Sequence, residues 1–472
     1  MKYELVCGLE THVELSTKTK IFCGCRSHFG SEPNTNCCPI CIGLPGTLPK
    51  LNKEVVRYAI MAGLATHCEI NLISKMDRKN YVYPDLPKAY QISQYDLPLC
   101  KNGYVELESG KKIRINRIHI EEDAGKLVHK GQDVLIDYNR GGVPLIEIVT
   151  HPDISSSDEA KEYIEKLQSI MRYIDVSDCK MQEGSMRCDV NISVRHEGET
   201  KLGVRTEIKN MNSITFITKA IDYETERQID AIQSGGEIYQ ETLRYSEETN
   251  STESMRNKEN ANDYRYFGEP DLITIKTNKE DLEKYKTQLP EFADGRCKRY
   301  VNDYDISKSD AKLLVKYKKV SDFFEKSIKG IDKPKTVSNL ILGVIFRYIE
   351  NESDKQEFNI KVLPEDLNKL VLLMQENKIN INLAKKALGQ MMETGKKVSE
   401  VIPDDYLQEI SGEEIKEICK KVIKSNDSAV KDYLSGKDKA LKFLLGQVMK
   451  ETKGKADAKF IEKILAGEIK NA

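Results

Sequence analysis

Four segments in the first half of the chain alternate between apolar and polar residues with a period of two. They are Glu4 to Leu15, Lys112 to Glu122, Arg187 to Arg195 and Gly203 to Lys209. Because successive side chains of a strand point to opposite faces, this pattern predicts strands with one face on a core. Two stretches of helical period, 156–174 and about 216–233, lie between and after them. The pattern therefore predicts an α+β fold for this half.

The second half has a different pattern. After about Leu289 the chain consists of lysine-rich amphipathic segments with few turn signals, which predicts an all-helical region to roughly Ile402. From Lys416 onwards the chain has 14 lysines and 8 acidic residues, which gives this segment a net charge of +6. This last piece is interpreted as a separate basic helical module. Contact with a nucleic-acid backbone is one interpretation of it, and a solvated lysine-rich surface is the other.

The polar faces of the predicted strands carry acids beside bases or imidazole. Period two groups the polar side chains as Glu10, His12 and Glu14, then Arg187, Asp189 and Asn191, then Arg205, Glu207 and Lys209, and the remaining strand ends in Glu121, Glu122 and Asp123. If these strands share a sheet, the combined face offers oxygen ligands for Mg²⁺ and cations for phosphate, which Mg-ATP chemistry requires. The alternative is that the charges simply face solvent. No Walker loop or Gly-x-Gly-x-x-Gly fingerprint is present, so side chains and metal would have to bind the phosphates.

Six of the twelve cysteines fall at or before position 41. Cys23 and Cys25 form one short pair, and Cys38 and Cys41 form another after twelve intervening residues. Two such pairs can place four thiolates around one ion, so we interpret them as a structural zinc site with no open coordination position. Buried or free thiols are the alternative, and Cys37 could compete as a ligand.

Composition narrows the class of protein. The 472 residues suggest about three domains. With 31% charged and 39% apolar residues and a net charge of −2, the chain is neither disordered nor coated in positive charge for nonspecific nucleic-acid binding. It has no apolar run of membrane-spanning length, and Glu4 interrupts what would be a secretory signal. We therefore expect a cytoplasmic protein that does not enter a membrane.

Six stretches of the chain resemble one known family. They are Gly8–Glu14 (GLETHVE), Asp77–Ser93 (DRKNYVYPDLPKAYQIS), His119–Lys126 (HIEEDAGK), Asp137–Val149 (DYNRGGVPLIEIV), Glu183–Asn191 (EGSMRCDVN) and Asp263–Phe267 (DYRYF). In this order they resemble the B subunit (GatB) of the tRNA-dependent amidotransferases. The resemblance spans about residues 1–275 with high specificity and the helical remainder more loosely.

The resemblance implies a fold and a reaction. The fold would be a glutamine-synthetase-like antiparallel cradle with the zinc loop and active site at 1–290, a helical domain at 291–402, and a basic helical tail domain like that of the YqeY proteins at 403–472. The reaction would use Mg-ATP to phosphorylate the side-chain carboxylate of Glu or Asp misacylated on tRNA, and ammonia would then displace the phosphate. The implied partners are the glutaminase of the complex (its A subunit), its small C subunit and the misacylated tRNA.

The resemblance also implies site residues. The expected catalytic set is Glu10, His12, Glu122, Asp189 and Glu207. The expected magnesium ligands are Glu10, His12, Glu121, Glu122, Asp189 and Glu207, with Glu183 as a further candidate. Glu122 would lie where ammonia enters, and Lys79 and Lys88 resemble the family's polar ammonia-channel residues. Arg187 and Arg205 are candidate phosphate contacts from strand alternation alone, and ion-pair partners are the alternative for both.

Two other functions remain open from the sequence. One is a stand-alone ligase of the glutamine-synthetase type that joins ammonia to a free amino acid. The other is a noncatalytic zinc-containing RNA-binding protein. They differ in whether tRNA is required and whether ATP is hydrolysed.

Overall fold

The structure is a computed structural model that describes residues 2–257, 264–403, 412–435, 437–452 and 458–470. Asp263, the first residue of the DYRYF stretch, lies outside these ranges. The chain divides into two compact units, Met1–Phe292 and Ala293–Ala472. The first unit mixes strands and helices, and the second is helical throughout its described residues.

Most strands of the first unit belong to one large sheet. The strands are β1 Tyr3–Glu14, β2 Glu69–Ile70, β3 Ile73–Ser74, β4 Asp77–Asn80, β5 Tyr90–Ser93, β6 Cys100–Glu106, β7 Lys112–Glu122, β8 Lys126–Lys130, β9 Asp133–Asp137, β10 Pro144–Thr150, β11 Met186–His196, β12 Thr206–Met211, β13 Glu241–Ser246, β14 Ser251–Asn257, β15 Phe267–Gly268 and β16 Ile275–Lys276. The nine-stranded sheet has the order β14-β13-β12-β11-β1-β10-β7-β6-β2. All its pairs are antiparallel except β12 with β13. The remaining strands form the small sheets β15-β4-β5, β16-β3 and β8-β9.

Helices cover the apolar side of this sheet. They are α1 Lys53–Ala65, α2 Ser157–Tyr173, α3 Ile214–Gln233 and α4 Lys279–Thr287, with a 3₁₀ turn at Met181–Glu183. The Ser156 hydroxyl accepts a hydrogen bond from the Glu159 amide at 3.1 Å and so caps α2. Ile164, Leu167 and Met171 then lie fully buried on one side of the helix. Burial of each such side chain stabilises the unit by about 1.5–3 kcal/mol.

The structure confirms the four predicted strands and both predicted helices of this unit. It also confirms mixed α and β content with a largely antiparallel sheet. Of the sixteen strands in the described residues, only these four were predicted. The unpredicted strand that matters most for the polar residues of the sheet is β10, Pro144–Thr150, which lies between β1 and β7. Its central residues Leu145, Ile146 and Ile148 are all fully buried, so no period-two alternation marks the strand.

The second unit contains twelve helices among its described residues. They are α5 Ala293–Tyr304, α6 Lys308–Val315, α7 Lys318–Ser327, α8 Pro334–Gly343, α9 Glu352–Glu357, α10 Pro364–Gln375, α11 Ile381–Thr394, α12 Val398–Val401, α13 Gly412–Ser425, α14 Asp427–Leu434, α15 Asp438–Glu451 and α16 Ala458–Lys470, with a 3₁₀ turn at Ile345–Arg347. One hydrophobic cluster runs from Tyr300 to Ile402 and a separate one from Ile415 to Ile469. No helix in the described part of the chain combines the length and apolar character needed to cross a membrane. The prediction that the chain is helical after about Leu289 is confirmed for its described residues.

Candidate active site

The sheet register brings distant acids onto one face. Glu10 of β1 pairs with Asp189 of β11, and His12 of β1 pairs with Glu147 of β10. Glu147 in turn pairs with His119 of β7. Directly paired residues on neighbouring strands point to the same side of a sheet. Residues more than a hundred positions apart therefore share one polar face, opposite the helices.

Glu10, Asp189 and Glu207 form the first group, which we name the three-carboxylate cluster. One ligand atom from each lies within 4.8 Å of the other two. The Lys209 ammonium lies 3.3 Å from Glu207 and 3.6 Å from Asp189, and the Asn191 amide donates to Glu10 at 2.8 Å. Asp189 and Glu207 are only 6% and 3% exposed. For these two residues the solvent-facing alternative is therefore wrong.

The carboxylates of this cluster lie close enough to shift one another's ionisation. Burial raises the pKa of Glu10, and the nearby carboxylates of Glu147, Glu207 and Asp189 raise it further. A buried group of three converging carboxylates fits a divalent cation such as Mg²⁺, which prefers oxygen ligands.

His12, Glu121 and Glu147 form a second group, which we name the histidine cluster. His12 Nε2 lies 3.3 Å from Glu121 and 3.7 Å from Glu147. His119 approaches the same two carboxylates, 3.1 Å from Glu147 and 3.7 Å from Glu121. One imidazole and two carboxylates within 4.8 Å form a ligand set for a divalent ion, with His119 beside it.

Electrostatics tie His119 to this cluster. Burial opposes protonation of His119, but Glu147 and Glu121 outweigh it and raise the pKa of the imidazole to about 9. Burial likewise raises the pKa of Glu147, but His119 and His12 hold it well below its usual value. The Nδ1 atoms of both histidines are buried without a hydrogen-bond partner among the described residues. Such orphaned polar atoms indicate that solvent or a ligand belongs in this space.

The sequence reasoning missed Glu147 and His119 as site residues. Both lie in stretches that carry the family resemblance, yet neither had an assigned role. His119 alternates with the buried Ile118 and Ile120, so period two could have placed it on the polar face with Glu121. Glu147 gave only one signal, a single acid in the otherwise apolar strand β10.

The structure separates Glu122 from both clusters. Glu122 follows Glu121 in β7, and adjacent residues of a strand point to opposite faces. Its carboxylate accepts hydrogen bonds from the Lys88 ammonium at 2.5 and 2.7 Å and from the Ile92 amide at 2.9 Å. Lys88 and Ile92 also line a cavity of about 200 Å³, whose other walls include Gly43 and Leu44. Glu122 thus lies nearest to Lys88, not among the other predicted ligands.

The other predicted residues are distributed more widely. Lys79 lies with its ammonium 4.7 Å from the centre of the Tyr264 ring, and its charge helps to lower the pKa of Glu147. Arg187 donates to Asp123 at 2.7 Å, so its guanidinium already has an ionic partner. These two side chains are near the polar face.

Glu183 and Arg205 lie apart from the clusters. Glu183 is exposed in the 3₁₀ turn and lies 3.3 Å from Lys180. Arg205 is exposed in the loop before β12. Neither belongs to a group of candidate metal ligands among the described residues.

The four predicted cysteines converge in the loop of residues 20–50, which we name the cysteine loop. Cys23, Cys25, Cys38 and Cys41 have Sγ atoms within 4.8 Å of one another. The Cys41 sulfur lies 3.5 Å from that of Cys23 and 3.7 Å from that of Cys38. Tetrahedral zinc with Zn–S bonds of about 2.3 Å places its sulfurs about 3.8 Å apart, so the arrangement fits zinc. Hydrogen bonding from Cys23 lowers the pKa of Cys41 to about 4.

Cys37 does not compete in this arrangement. Its sulfur lies 3.8 Å from the Asn139 side-chain oxygen. It is also absent from the groups of candidate metal ligands among the described residues. The cysteine cluster therefore consists of the four positions that spacing alone selected.

Comparisons with known proteins agree along the whole chain. Residues 5–283 match a family model described as the GatB/GatE catalytic domain, and residues 322–469 match one described as a GatB domain. A protein of Caldanaerobacter subterraneus subsp. tengcongensis is 52% identical, covering 99% of this chain and 100% of its own. Relatives from Thermoanaerobacter sp. and Clostridium tetani are 53% and 49% identical, covering 99% of this chain and 100% and 99% of theirs. All three are called the B subunit of an aspartyl/glutamyl-tRNA(Asn/Gln) amidotransferase.

Proposed function

Because the chain belongs to the GatB/GatE family, we propose that it acts as the B subunit of an aminoacyl-tRNA amidotransferase. It converts Glu or Asp misacylated on tRNA into Gln or Asn. The observation that carries the proposal is the pair of acidic clusters on one polar face, the three-carboxylate cluster and the histidine cluster. Two adjacent sites for divalent ions suit ATP-dependent chemistry better than RNA binding alone.

The reaction needs a leaving group. A carboxylate reacts poorly with ammonia because oxide would have to leave, so the side chain of the misacylated residue is first phosphorylated by ATP. Ammonia then attacks the acyl phosphate, and phosphate departs. Mg²⁺, when bound, offsets the repulsion between the carboxylate and the γ-phosphate. Glu10, Asp189 and Glu207 would hold one ion, and His12, Glu121 and Glu147 would hold another.

The cations of the face position phosphate. Lys209 borders the three-carboxylate cluster, and Arg187 is fixed by its ion pair with Asp123. Both remain cationic in this setting: burial disfavours the charge, but neighbouring acids raise the pKa of each above its usual value. A fixed cation costs little reorganisation when charge builds up on the phosphoryl group. Arg205 is a further proposed phosphate contact.

Glu122 and Lys88 serve ammonia rather than metal in this proposal. Ammonia comes from a separate glutaminase and needs a polar path to the polar face. The Lys88–Glu122 pair lies beside the cavity bounded by the cysteine loop. The Glu122 carboxylate can accept a hydrogen bond from ammonia and take up the proton that ammonia loses when it attacks the acyl phosphate. Lys79, close to Glu147, is the proposed end of this path.

The remaining features complete the proposal. Residues 1–290 form a glutamine-synthetase-like cradle, and residues 291–402 and 403–472 form two helical domains. The two separate hydrophobic clusters of the second unit support the latter division. The cysteine cluster binds a structural zinc, and Glu183 is a peripheral candidate ligand for magnesium. The working enzyme also contains the glutaminase and the small third protein of the complex, and it is cytoplasmic.

The deciding experiment reconstitutes the full chain with its partner proteins. Glu-tRNA(Gln) and Asp-tRNA(Asn), prepared by misacylation, are incubated with ATP, Mg²⁺ and glutamine, and the attached amino acid is identified after hydrolysis. We expect Gln or Asn to form only when ATP and tRNA are both present. Amide formation from free glutamate and ammonia without tRNA would instead support the stand-alone ligase. RNA binding without ATP hydrolysis would support the noncatalytic alternative.

A further inference from the structure

Lys20 is a buried lysine that the proposed reaction does not use. Its residue is 0% exposed and is among the largest fully buried side chains of the chain. Lysine is almost never fully buried unless its charge is paired. Burying an uncompensated ammonium costs several kcal/mol, so the fold must supply a partner.

The ammonium of Lys20 has two neighbours. Its Nζ donates to the Cys41 sulfur at 3.5 Å and to the backbone carbonyl oxygen of Tyr138 at 3.1 Å. A carbonyl is neutral and offsets only part of the desolvation. Within the described part of the chain, Lys20 forms no ion pair with a carboxylate. Of the two hydrogen-bond partners of the ammonium, only the sulfur of Cys41 can carry a negative charge, in the thiolate form that a metal requires.

The ammonium in turn offsets the negative charge that the cysteine cluster carries when it binds a divalent ion. Four thiolates around one divalent ion carry a net charge of −2, in a loop that also buries part of each sulfur. One ammonium hydrogen-bonded to a sulfur ligand reduces this to −1. Metal centres depend strongly on such neighbours, because they orient the ligands and set their charge.

Lys20 also links two chain segments at this point. Its own amide donates to the Cys25 carbonyl oxygen at 2.9 Å, and the Ile21 amide donates to the Gly142 carbonyl oxygen at 2.9 Å. With the contact to Tyr138, Lys20 connects the cysteine loop to the 138–142 turn. The ammonium lies where these two segments meet.

We propose that Lys20 is the outer-sphere cation of a four-thiolate zinc centre, and that its charge determines how firmly the centre retains metal. The inference rests on the proposed zinc site but not on the amidation reaction. It is therefore tested by metal retention in the purified full-length chain.

The main experiment compares Lys20→Met, which removes the charge, with Lys20→Arg, which keeps it. Lys18→Met is the matched control, since Lys18 is exposed two residues away. Zinc content is measured by mass spectrometry, and zinc release is followed with a chromogenic chelator. We expect Lys20→Met to release zinc about 10- to 100-fold faster, the range typical for loss of a hydrogen-bonding neighbour of a ligand. Lys20→Arg should recover most of the retention, and Lys18→Met should match the parent.

A cobalt measurement separates a metal-directed role from a merely structural one. In Co²⁺-substituted protein, the Lys20→Met change should shift the thiolate-to-cobalt charge-transfer band, because a hydrogen bond to a ligand sulfur is lost. An unshifted band with parental zinc release would overturn the proposal. A parent chain that binds no zinc with its thiols reduced would overturn both this inference and the zinc site, whatever the amidation assay gives.

If the Lys20→Met chain folds poorly, the same change is tested in a chain that lacks two of the proposed zinc ligands. In a Cys23→Ser, Cys41→Ser chain the ammonium loses its anionic partner and becomes an unpaired buried charge. There, Lys20→Met should raise the midpoint of thermal unfolding, whereas in the zinc-loaded parent it should lower it. A decrease of equal size in both backgrounds would mean that Lys20 acts only by packing and would overturn the proposal.

Discussion

The polar face of the sheet and the cysteine loop are two candidate metal-binding regions of the same unit, built in opposite ways. The face draws its ligands from positions 10 to 207 and holds them on strands β1, β7, β10, β11 and β12. The cysteine loop draws its ligands from positions 23 to 41, where the chain has almost no regular structure. The comparison teaches that strand pairing positions the ligands of the face, whereas little regular structure positions those of the loop, so we expect the loop to depend more on bound metal for its order.

The two regions differ in what holds each of them together. Beneath the polar face lies a core of fully buried residues such as Leu9, Ile148 and Val190. The cysteine loop instead carries exposed apolar residues, including Phe29 and Leu48. Substitutions on the face should therefore remove chemistry and leave the fold, whereas substitutions in the loop should remove local structure first.

The largest effect is expected on the face. Glu10→Gln and Glu147→Gln each remove one charged ligand without changing size, and each should lower ATP-dependent amidation by about 10²–10³-fold. Transfer RNA binding should stay near the parental value in both variants. Thermal stability should stay near parental in Glu10→Gln but fall in Glu147→Gln, because Glu147 is the main partner of the buried His119 imidazolium. Single-turnover amide formation measures the effect, with Glu165→Gln on the exposed side of α2 as the control. Full activity in both variants would contradict the site assignment.

The Glu122→Gln variant tests whether the two faces of β7 have different roles in the reaction. We expect amidation to fall by about 10²-fold, since a hydrogen-bonded carboxylate that can take a proton is lost. ATP-dependent activation of the misacylated tRNA, followed as ADP release, should persist because Glu122 lies outside both clusters. If ADP release falls as far as it does in Glu147→Gln, Glu122 is a metal ligand after all.

A smaller loss of activity should follow from removing zinc from the cysteine loop. The Cys23→Ser, Cys41→Ser chain should lose its metal and become sensitive to protease between Cys23 and Cys41, while Lys20 and the sheet stay in place. We expect about a tenfold loss of glutamine-dependent amidation, because Gly43 of this loop lies against Lys88. Ammonia added directly should restore part of the rate. Protease resistance equal to that of the zinc-loaded parent would contradict the contrast between the regions.

The smallest effect is expected at the periphery of the face. Glu183→Gln alters an exposed side chain outside both clusters, so we expect less than about a twofold change in amidation and a stability change within about 0.5 kcal/mol. Steady-state rates with Lys180→Ala as a comparison test this. A large loss in Arg205→Ala would instead support the proposed phosphate contact and indicate that the loop before β12 moves to meet phosphate during the reaction.

The two regions were also predictable to different degrees. The cysteine ligands could be selected from spacing, because all four lie within nineteen consecutive positions, 23 to 41. On the face, Glu10, His12, Asp189 and Glu207 followed from alternation and resemblance. Glu147 did not, because β10 is mostly apolar in sequence and carries a single acid. Glu122 was grouped with Glu121 as a magnesium ligand on the basis of the resemblance, although neighbouring residues of a strand face opposite ways.

The sequence by itself determined the local features of this protein: strand and helix periods, the cap of α2, the cysteine pairs and the change to a helical texture after about residue 289. Each depends on residues a few positions apart, whose interactions the chain specifies directly. Only the tertiary structure decided that β10 lies between β1 and β7, which places Glu147 opposite His12 and divides the acids into two clusters. It also placed Lys20 against Cys41. These placements depend on strand order and on burial, and both are set by the packing of the whole sheet.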